Sequence, residues 1–113
     1  MTMIPRARMD PAALRHRVTL EARTDTPDGA GGVNTVWSAQ ASLWASIDPN
    51  TSDQIIRAEA RRQRTTHKIL MRRRKDVTSA MRIRHGTRIF EIRAVVDPHE
   101  TGIWTLCRCE QIL

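Results

Sequence analysis

The sequence predicts a mainly β protein, a small antiparallel β-barrel or sandwich of six or seven short strands with one α-helix. Apolar and polar residues alternate with a period of two in several short runs, as in strands that bury one face. Clusters of glycine, proline and aspartate separate these runs, mostly at hairpin distance. The 113 residues suit one hydrophobic core, so we expect a single domain over residues 1–113 with a flexible N-terminal segment of about residues 1–13.

The first half of the chain contains three predicted strands and one loop. Asp10 followed by Pro11 is typical of a helix start, because aspartate caps the first turn and proline suits the first helical position. Beyond this turn, apolar and polar residues alternate strictly, whereas four glycine and proline residues follow with no large apolar side chain among them. These patterns predict a helical turn at 12–14, strands at 14–23, 33–37 and 43–47, and a mobile loop at 24–34.

The second half begins with the predicted helix. Thr51 and Gln54 match a capping box, in which the two side chains satisfy the free N–H groups of a helix start. Gly86 lies between two further alternating runs and predicts a hairpin turn. These signals predict a helix at 52–64, strands at 66–72, 81–85, 88–96 and 103–112, and a turn at 97–102.

The positive charge of the chain lies in one segment. The formal net charge is +7, and residues 57–75 contain nine basic residues and one acid, so the rest of the chain is close to neutral. Such a segment is typical of a surface that contacts phosphate or an acidic partner. A solvated arginine-rich face is the alternative, because the chain has 17 arginines and two lysines throughout.

The residue pattern indicates neither catalysis nor cofactor or metal binding. Cys107 and Cys109 would lie on one strand face about 6.6–7 Å apart, which is too far for an unstrained disulfide, and no other cysteine is present. A zinc site needs four ligands, and His99 is the nearest additional one, so two small residues filling a strand face are the expected arrangement. The remaining histidines are scattered, and the glycine-rich stretch lacks the lysine of a phosphate loop. We therefore expect no enzyme activity.

Targeting signals and membrane spans are also not predicted. The basic N-terminus has no apolar run behind it, and no stretch of 18 apolar residues occurs. The two isolated cysteines favour a reducing, cytosolic origin.

Several segments resemble the phage head–tail joining proteins, also called head-closure or stopper proteins. The resemblance is carried by their order and spacing over about residues 14–110, since each segment alone is an ordinary strand with a turn. In this sequence the segments are Leu14 to Leu20, Gly31-Gly32-Val33 with Trp37, Leu43 to Pro49, Thr78 to Ile83, Gly86, Arg88 to Ile92, and Val95 to Asp97. The dense arginine cluster and the longer N-terminal segment depart from the family pattern.

The resemblance implies a structural role at the neck of a tailed phage or a phage-like gene transfer agent. Its members are small β-barrels with one helix, so the chain would be a single head–tail connector domain. Six or twelve copies would form a ring below the portal and adaptor and above the tail terminator or tail tube. Double-stranded DNA would lie in the channel, retained by the ring, and assembly would take place in the bacterial cytoplasm without a membrane. The resemblance implies no catalytic residues.

Three groups of residues are the candidate contact sites. The helix arginines Arg57, Arg61 and Arg64 are predicted to contact the next subunit or the adaptor. The residues Arg72, Arg73, Arg74 and Lys75 are predicted to contact DNA or the tail-side partner. The loop residues Asp25, Asp28, Gly29, Gly31 and Gly32 are predicted to form a flexible segment that reaches the lumen or a partner.

Two other functions remain open from the sequence. A small-barrel protein that binds nucleic acid would also be basic, although no aromatic residue lies within the basic segment to stack on bases. A different neck or tail component, such as the adaptor or the tail terminator, is the other alternative. An adaptor would be mainly helical, which this pattern does not favour.

Overall fold

A computed structural model describes residues 11–50 and 65–113, and this part of the chain forms a closed β-barrel. All neighbouring strands are antiparallel, in the order β1-β2-β3-β6-β5-β4, and β4 returns to pair with β1. The strands are β1 (His16–Pro27), β2 (Val33–Pro49), β3 (His67–Arg72), β4 (Arg82–His85), β5 (Arg88–Val96) and β6 (Trp104–Gln111). The small, mainly antiparallel β fold with six strands is thereby confirmed.

The short helical features lie at the two expected turns. The predicted turn at 12–14 is a 3-10 helix over Pro11–Ala13, and a second one, Pro98–Glu100, lies between β5 and β6. The predicted helix at 52–64 and most of the N-terminal segment lie outside the described residues. Within the described part, no helix has the length and apolar character needed to cross a membrane.

The barrel interior is a single apolar core. Every strand contributes inward side chains, and Phe90 is the largest that is fully buried. Alternation in β1 points Val18 and Leu20 inward, as predicted from the period of two. The other core residues come from all around the barrel, so the core depends on closure of the sheet. They are Ala45, Ile69, Met71, Val77, Met81, Ile83, Ile92, Cys107 and Cys109.

The second strand is longer than predicted. The sequence indicated two strands at 33–37 and 43–47, but β2 runs without a break from Val33 to Pro49. The intervening residues are small and polar, so they show no alternation, yet pairing with β1 keeps them extended. Leu20 pairs with Ala41 and Glu21 with Ala39, which leaves Gln40 as a bulge. A bulge bends a strand, and this one lies where the hairpin leaves the barrel.

The predicted mobile loop at 24–34 is mostly a β-hairpin. β1 continues to Pro27 and β2 begins at Val33, so the turn contains only residues 28–32. The prediction was wrong in its boundaries because the strand residues beyond the barrel have no buried face and therefore show no apolar alternation. We call the projecting hairpin, residues 22–40, the arm. It extends about 20 Å beyond the barrel by strand rise.

The strand directions divide the barrel into two ends. The arm end carries the C-terminal ends of β1, β3 and β5, because these three strands run in the same direction. The opposite end carries the turn between β4 and β5 at Gly86 and the last residues of β6. Asn50 and Thr65, which border the segment outside the described residues, also lie there and are bonded to each other through the Asn50 side chain at 3.0 Å.

Candidate functional site

The basic tip, which we define as residues 72–75, lies at the arm end of the barrel. It begins at the last residue of β3 and continues into the turn that leads to β4. The backbone N–H of Arg73 donates to the carbonyl of Ile103 at 3.0 Å, and that of Arg74 donates to Thr105 Oγ1 at 3.0 Å. These bonds fix the tip to the start of β6, so its four cationic side chains project from an anchored backbone.

Carboxylates compensate two of the four tip cations. Arg74 donates from Nε and Nη2 to Asp76 at 3.1 and 2.9 Å, and Arg73 contacts Asp97 at 3.4 Å. The hydrogen bond from Arg74 lowers the pKa of the Asp76 carboxyl below its ordinary value. The two remaining members of the tip, Arg72 and Lys75, are exposed and form no ion pair with any described residue. They are the two tip cations whose charge no described carboxylate compensates, and Arg72 lies over the ring of Trp104 with its Cζ 6.0 Å from the centroid.

The described part of the basic segment is residues 65–75. Strand β3 carries the chain from Thr65, at the opposite end, to Arg72 at the arm end, and it buries Ile69, Leu70 and Met71 between them. By strand rise, Thr65 and Arg72 lie about 20 Å apart. The predicted contact residues Arg57, Arg61 and Arg64 lie outside the described residues. Of the cations in the described part of the segment, Lys68 lies within β3 and the other four form the basic tip.

The arm presents two different faces. Cross-strand pairing places Arg23 and Asp25 on the same face as Thr35 and Trp37, whereas Thr24 pairs with Val36 on the other face. Asp25 accepts hydrogen bonds from Arg23 Nε at 2.9 Å and from Thr35 Oγ1 at 2.7 Å, and both interactions lower the pKa of its carboxyl. The charges on this face therefore neutralise each other, and the other face carries no charge.

The turn of the arm is built around Asp28. Its Oδ1 accepts the N–H groups of Ala30 and Gly32 at 2.8 and 3.0 Å, and these bonds lower the pKa of the carboxyl. Gly31 has φ +86°, and a Cβ at Gly32 would lie 2.7 Å from Asp28 Oδ2. Of the five predicted loop residues, Asp28, Gly29, Gly31 and Gly32 lie in this turn, whereas Asp25 belongs to β1.

A buried ionic cluster secures the base of the arm. Glu21, which is 8% exposed, accepts hydrogen bonds from Arg82 Nε at 2.6 Å and from Arg84 Nε at 3.2 Å. Burial raises the pKa of Glu21, but the hydrogen bonds and charges of the two arginines outweigh it, so that the pKa is lowered. The guanidinium of Arg82 also stacks on the ring of Trp37 with its Cζ 4.2 Å from the centroid. The sequence analysis missed this cluster.

A cleft of about 360 Å³ opens beside this cluster, between the arm and the chain that enters β4. Its lining includes the apolar side chains of Met81 and Ile92 together with Arg23, Trp37 and Arg93. Arg93 is held by Glu91 at 2.9 Å and by a shorter contact with Glu110, so its charge is compensated. The sequence offered one signal for the region: residues 33–47 contain no charged side chain in a chain that is 27% charged.

The two thiols are core residues, as predicted. Cys107 and Cys109 are fully buried and unpaired, and burial raises the pKa of the Cys107 thiol to about 12 and that of Cys109 further. Within residues 11–50 and 65–113, no three His, Cys, Asp or Glu side chains are grouped to hold a metal ion.

Comparison with known proteins identifies the family. The family model of the phage head completion protein matches residues 9–112. A protein from Shigella flexneri 2a with a known solution structure is 30% identical, with a TM-score of 0.65 over 89% of this chain and 96% of that one. A chain of the virion of a native gene transfer agent particle is 23% identical, with a TM-score of 0.60 over 88% of this chain and 96% of that one, and it shows the same fold. No curated protein matches.

The family match covers all six strands of the barrel, together with the arm and the basic tip. It agrees with the resemblance found in the sequence, and a family of structural virion proteins is consistent with the expectation that the chain is not an enzyme. The chain belongs to the phage head completion protein family and is a structural protein of the phage head or neck.

Proposed function

We propose that the chain is the stopper subunit of the neck, a ring-forming connector that joins the portal and adaptor to the tail and retains packaged DNA. The observation that carries this proposal is the family match over residues 9–112 on a closed barrel. Closure pairs every strand of the barrel with two neighbours, whereas the arm and the basic tip project from one end and are available to neighbouring subunits. A subunit of this design suits a ring of six or twelve copies in a virion or a phage-like particle.

DNA retention in this proposal rests on few cations. Each phosphate neutralised by a cation adds nearly one unit to the salt dependence of binding, so a ring with many engaged arginines would hinder DNA exit. We expect only Arg72 and Lys75 of the tip to contact DNA or the tail-side partner, because Arg73 and Arg74 are paired with carboxylates. The helix arginines Arg57, Arg61 and Arg64 are proposed to contact the next subunit or the adaptor.

The experiment that tests this function removes the gene from the phage or prophage that encodes the chain. We expect filled or partly emptied heads without tails, and complementation by the wild-type gene should restore tailed particles. Imaging of the restored neck should show a ring of six or twelve copies between the portal or adaptor and the tail. Tailed, filled particles in the absence of the gene would contradict the proposal.

Two measurements separate the alternatives. A small-barrel protein that binds nucleic acid would bind naked duplex DNA as a lone monomer with steep salt dependence. A tail terminator would be found on isolated tails that never joined a head. The stopper should instead remain on DNA-filled heads whose tails are absent, and the pure protein should be mostly monomeric by light scattering.

A further inference from the structure

The arm has two free strand edges. Strand β4 pairs with β1 only at Thr19–Glu21, and β3 pairs with β2 only at 45–49. Within the described residues, 22–27 on one side of the arm and 33–44 on the other therefore have a single strand neighbour. In an antiparallel pair, about half of the backbone N–H and C=O groups point away from the partner. Both edges of the arm thus present backbone groups that a further strand can bind.

The edge of β2 is unprotected against such pairing. Soluble proteins guard exposed edges with charges, prolines or short strands. The 12 residues from 33 to 44 contain no charged residue and no proline, although the chain is 27% charged. They expose apolar surface, with Val33 at 60% and Val36 at 59%. An edge of this length and composition is typical of a surface that is covered in an assembly.

The free edge of β1 in one copy can pair with the free edge of β2 in a neighbouring copy. In a ring with cyclic symmetry every arm points the same way, so β2 of one copy lies beside β1 of the next. These two strands run antiparallel, as they do within the arm, and their backbone groups can continue the ladder. We propose that β2 residues 33–38 of one copy pair with β1 residues 22–27 of the next, so that the arms form a closed antiparallel collar. This inference rests on the proposed ring.

Charge favours this contact between copies. The chain carries a net charge of +7, and its basic segment 57–75 would repel the same segment of a second copy. The arm has three charged residues among its 19, Arg23, Asp25 and Asp28. Arg23 and Asp25 form an ion pair at 2.8 Å, and Asp28 accepts the hydrogen bonds of the turn. Two arms can therefore lie side by side with little like-charge repulsion. Formation of the collar also removes both free edges, as closure does in a barrel.

Disulfide trapping in assembled particles tests the pairing. Cyclic symmetry places all copies at the same height along the ring axis. Thr24 of one copy should therefore lie nearest Val36 of the next, or nearest one of the residues two positions away on the same face, Asn34 or Ser38. Particles are assembled from a mixture of T24C chains with N34C, V36C or S38C chains. Disulfide-linked dimers are then separated by gel electrophoresis without reductant. The native thiols are buried and do not compete. We expect a mixed dimer in at least one combination and no dimer from T24C alone.

The outcomes separate this inference from the proposed function. Absence of the chain from particles would contradict the function itself. If the chain is present in six or twelve copies but no mixed dimer forms, only the proposed collar is overturned and the proposed function stands. Dimers from T24C alone would also overturn it, because they require two β1 edges to meet.

A matched pair of variants supplies a second test. V36K places a charge on the free edge, whereas I112K makes the same change at an exposed isoleucine, 47% exposed, at the opposite end of the barrel from the arm and the basic tip. Both variants should melt within a few degrees of the wild type, because neither residue is buried. We expect V36K to be incorporated at least ten-fold less and I112K to be incorporated normally. Equal incorporation of both variants, or equal loss of both, would overturn the proposal.

Discussion

Arg82 lies over the ring of Trp37, with its Cζ 4.2 Å from the ring centroid, and thereby connects the barrel to the arm. Arg82 belongs to β4, whereas Trp37 lies in the arm portion of β2, and the two are 45 positions apart in sequence. The same guanidinium donates to Glu21, which is buried at the base of the arm. The direction in which the arm leaves the barrel therefore depends on three side chains from three different strands.

Replacement of Glu21 by glutamine should lower the free energy of unfolding by about 1–3 kcal/mol at pH 7, because hydrogen bonds to charged partners contribute that much. The folded-state pKa of Glu21 lies below its ordinary value of 4.5. Its contribution is therefore complete above about pH 4.5 and is lost as the pH falls through the folded pKa. Urea unfolding of both proteins at pH 7 and pH 3 should show the difference shrinking in acid. Glu100→Gln, on an exposed turn residue, is the control and should change stability by less than about 0.5 kcal/mol.

Acidification from pH 7.5 to pH 5 should destabilise the barrel through His67 and His85. The pKa of His67 is lowered by burial and, to a smaller extent, by the charge of Arg88. The pKa of His85 is lowered by burial and then by the charges of His16 and Arg88. The unfolded chain binds these protons more readily, so stability is lost as the pH falls below about 6.5. Arg88→Gln removes the nearby positive charge and should reduce this loss. A denaturation midpoint that is the same at both pH values in the wild type would contradict the prediction.

The two native cysteines should resist alkylation until the protein unfolds. Both thiols are fully buried, and the pKa of Cys107 is raised to about 12, so the reactive thiolate is scarce in the native state. The rate of modification by a thiol reagent should follow the unfolded fraction in increasing urea. Thr24→Cys, in the exposed arm, should add one thiol that reacts at once. Because the unfolded thiols ionise near their ordinary pKa of 9.0, stability should also fall above that pH.

Replacement of Asp28 by alanine should loosen the turn of the arm without affecting the barrel. The amides of Ala30 and Gly32 lose their carboxylate acceptor and should exchange with solvent several-fold faster, whereas amides of β3 and β6 should not change. Nuclear magnetic resonance of the free protein measures both sets. Thr26→Ala, two positions away, is the control. Slower exchange of residues 28–32 in assembled particles than in the free protein is expected if a neighbour covers the turn.

Charge reversal separates the roles of the basic residues. Arg72→Glu combined with Lys75→Glu should leave folding and incorporation intact but yield particles that leak DNA or lack tails. Arg61→Glu combined with Arg64→Glu should block incorporation into particles. Particle yield, nuclease-sensitive DNA and tail attachment are the measurements.

The comparison pair for the tip is Arg73→Glu with Arg74→Glu. These arginines bind Asp97 and Asp76, so their reversal should lower thermal stability as well. Normal assembly, DNA retention and tail attachment in all three double variants would show that the basic segment is only a solvated face.

The sequence determined the class of fold and most of the strand positions. Alternation in β1 marks which of its side chains enter the core, because a strand with one buried face must alternate. Gly86 marked the hairpin between β4 and β5, and the cysteine spacing placed both thiols on one face. The order of these segments also indicated the family. Such patterns can be recognised in the sequence because the burial of one face of a strand depends on residues of that strand alone.

Only the tertiary structure decided the arm, the closure and the electrostatics. The arm has no buried face, so its residues look like a loop in the sequence, and pairing between β1 and β2 makes them strands. Glu21 meets Arg82 and Arg84 across 61 and 63 positions, and no local pattern specifies such contacts. The basic tip appeared as a run of free cations in the sequence, but the fold brings Asp97 from the end of β5 to Arg73. The net charge of a segment counts all of its residues, whereas a partner contacts only the uncompensated charges that the fold places on one surface.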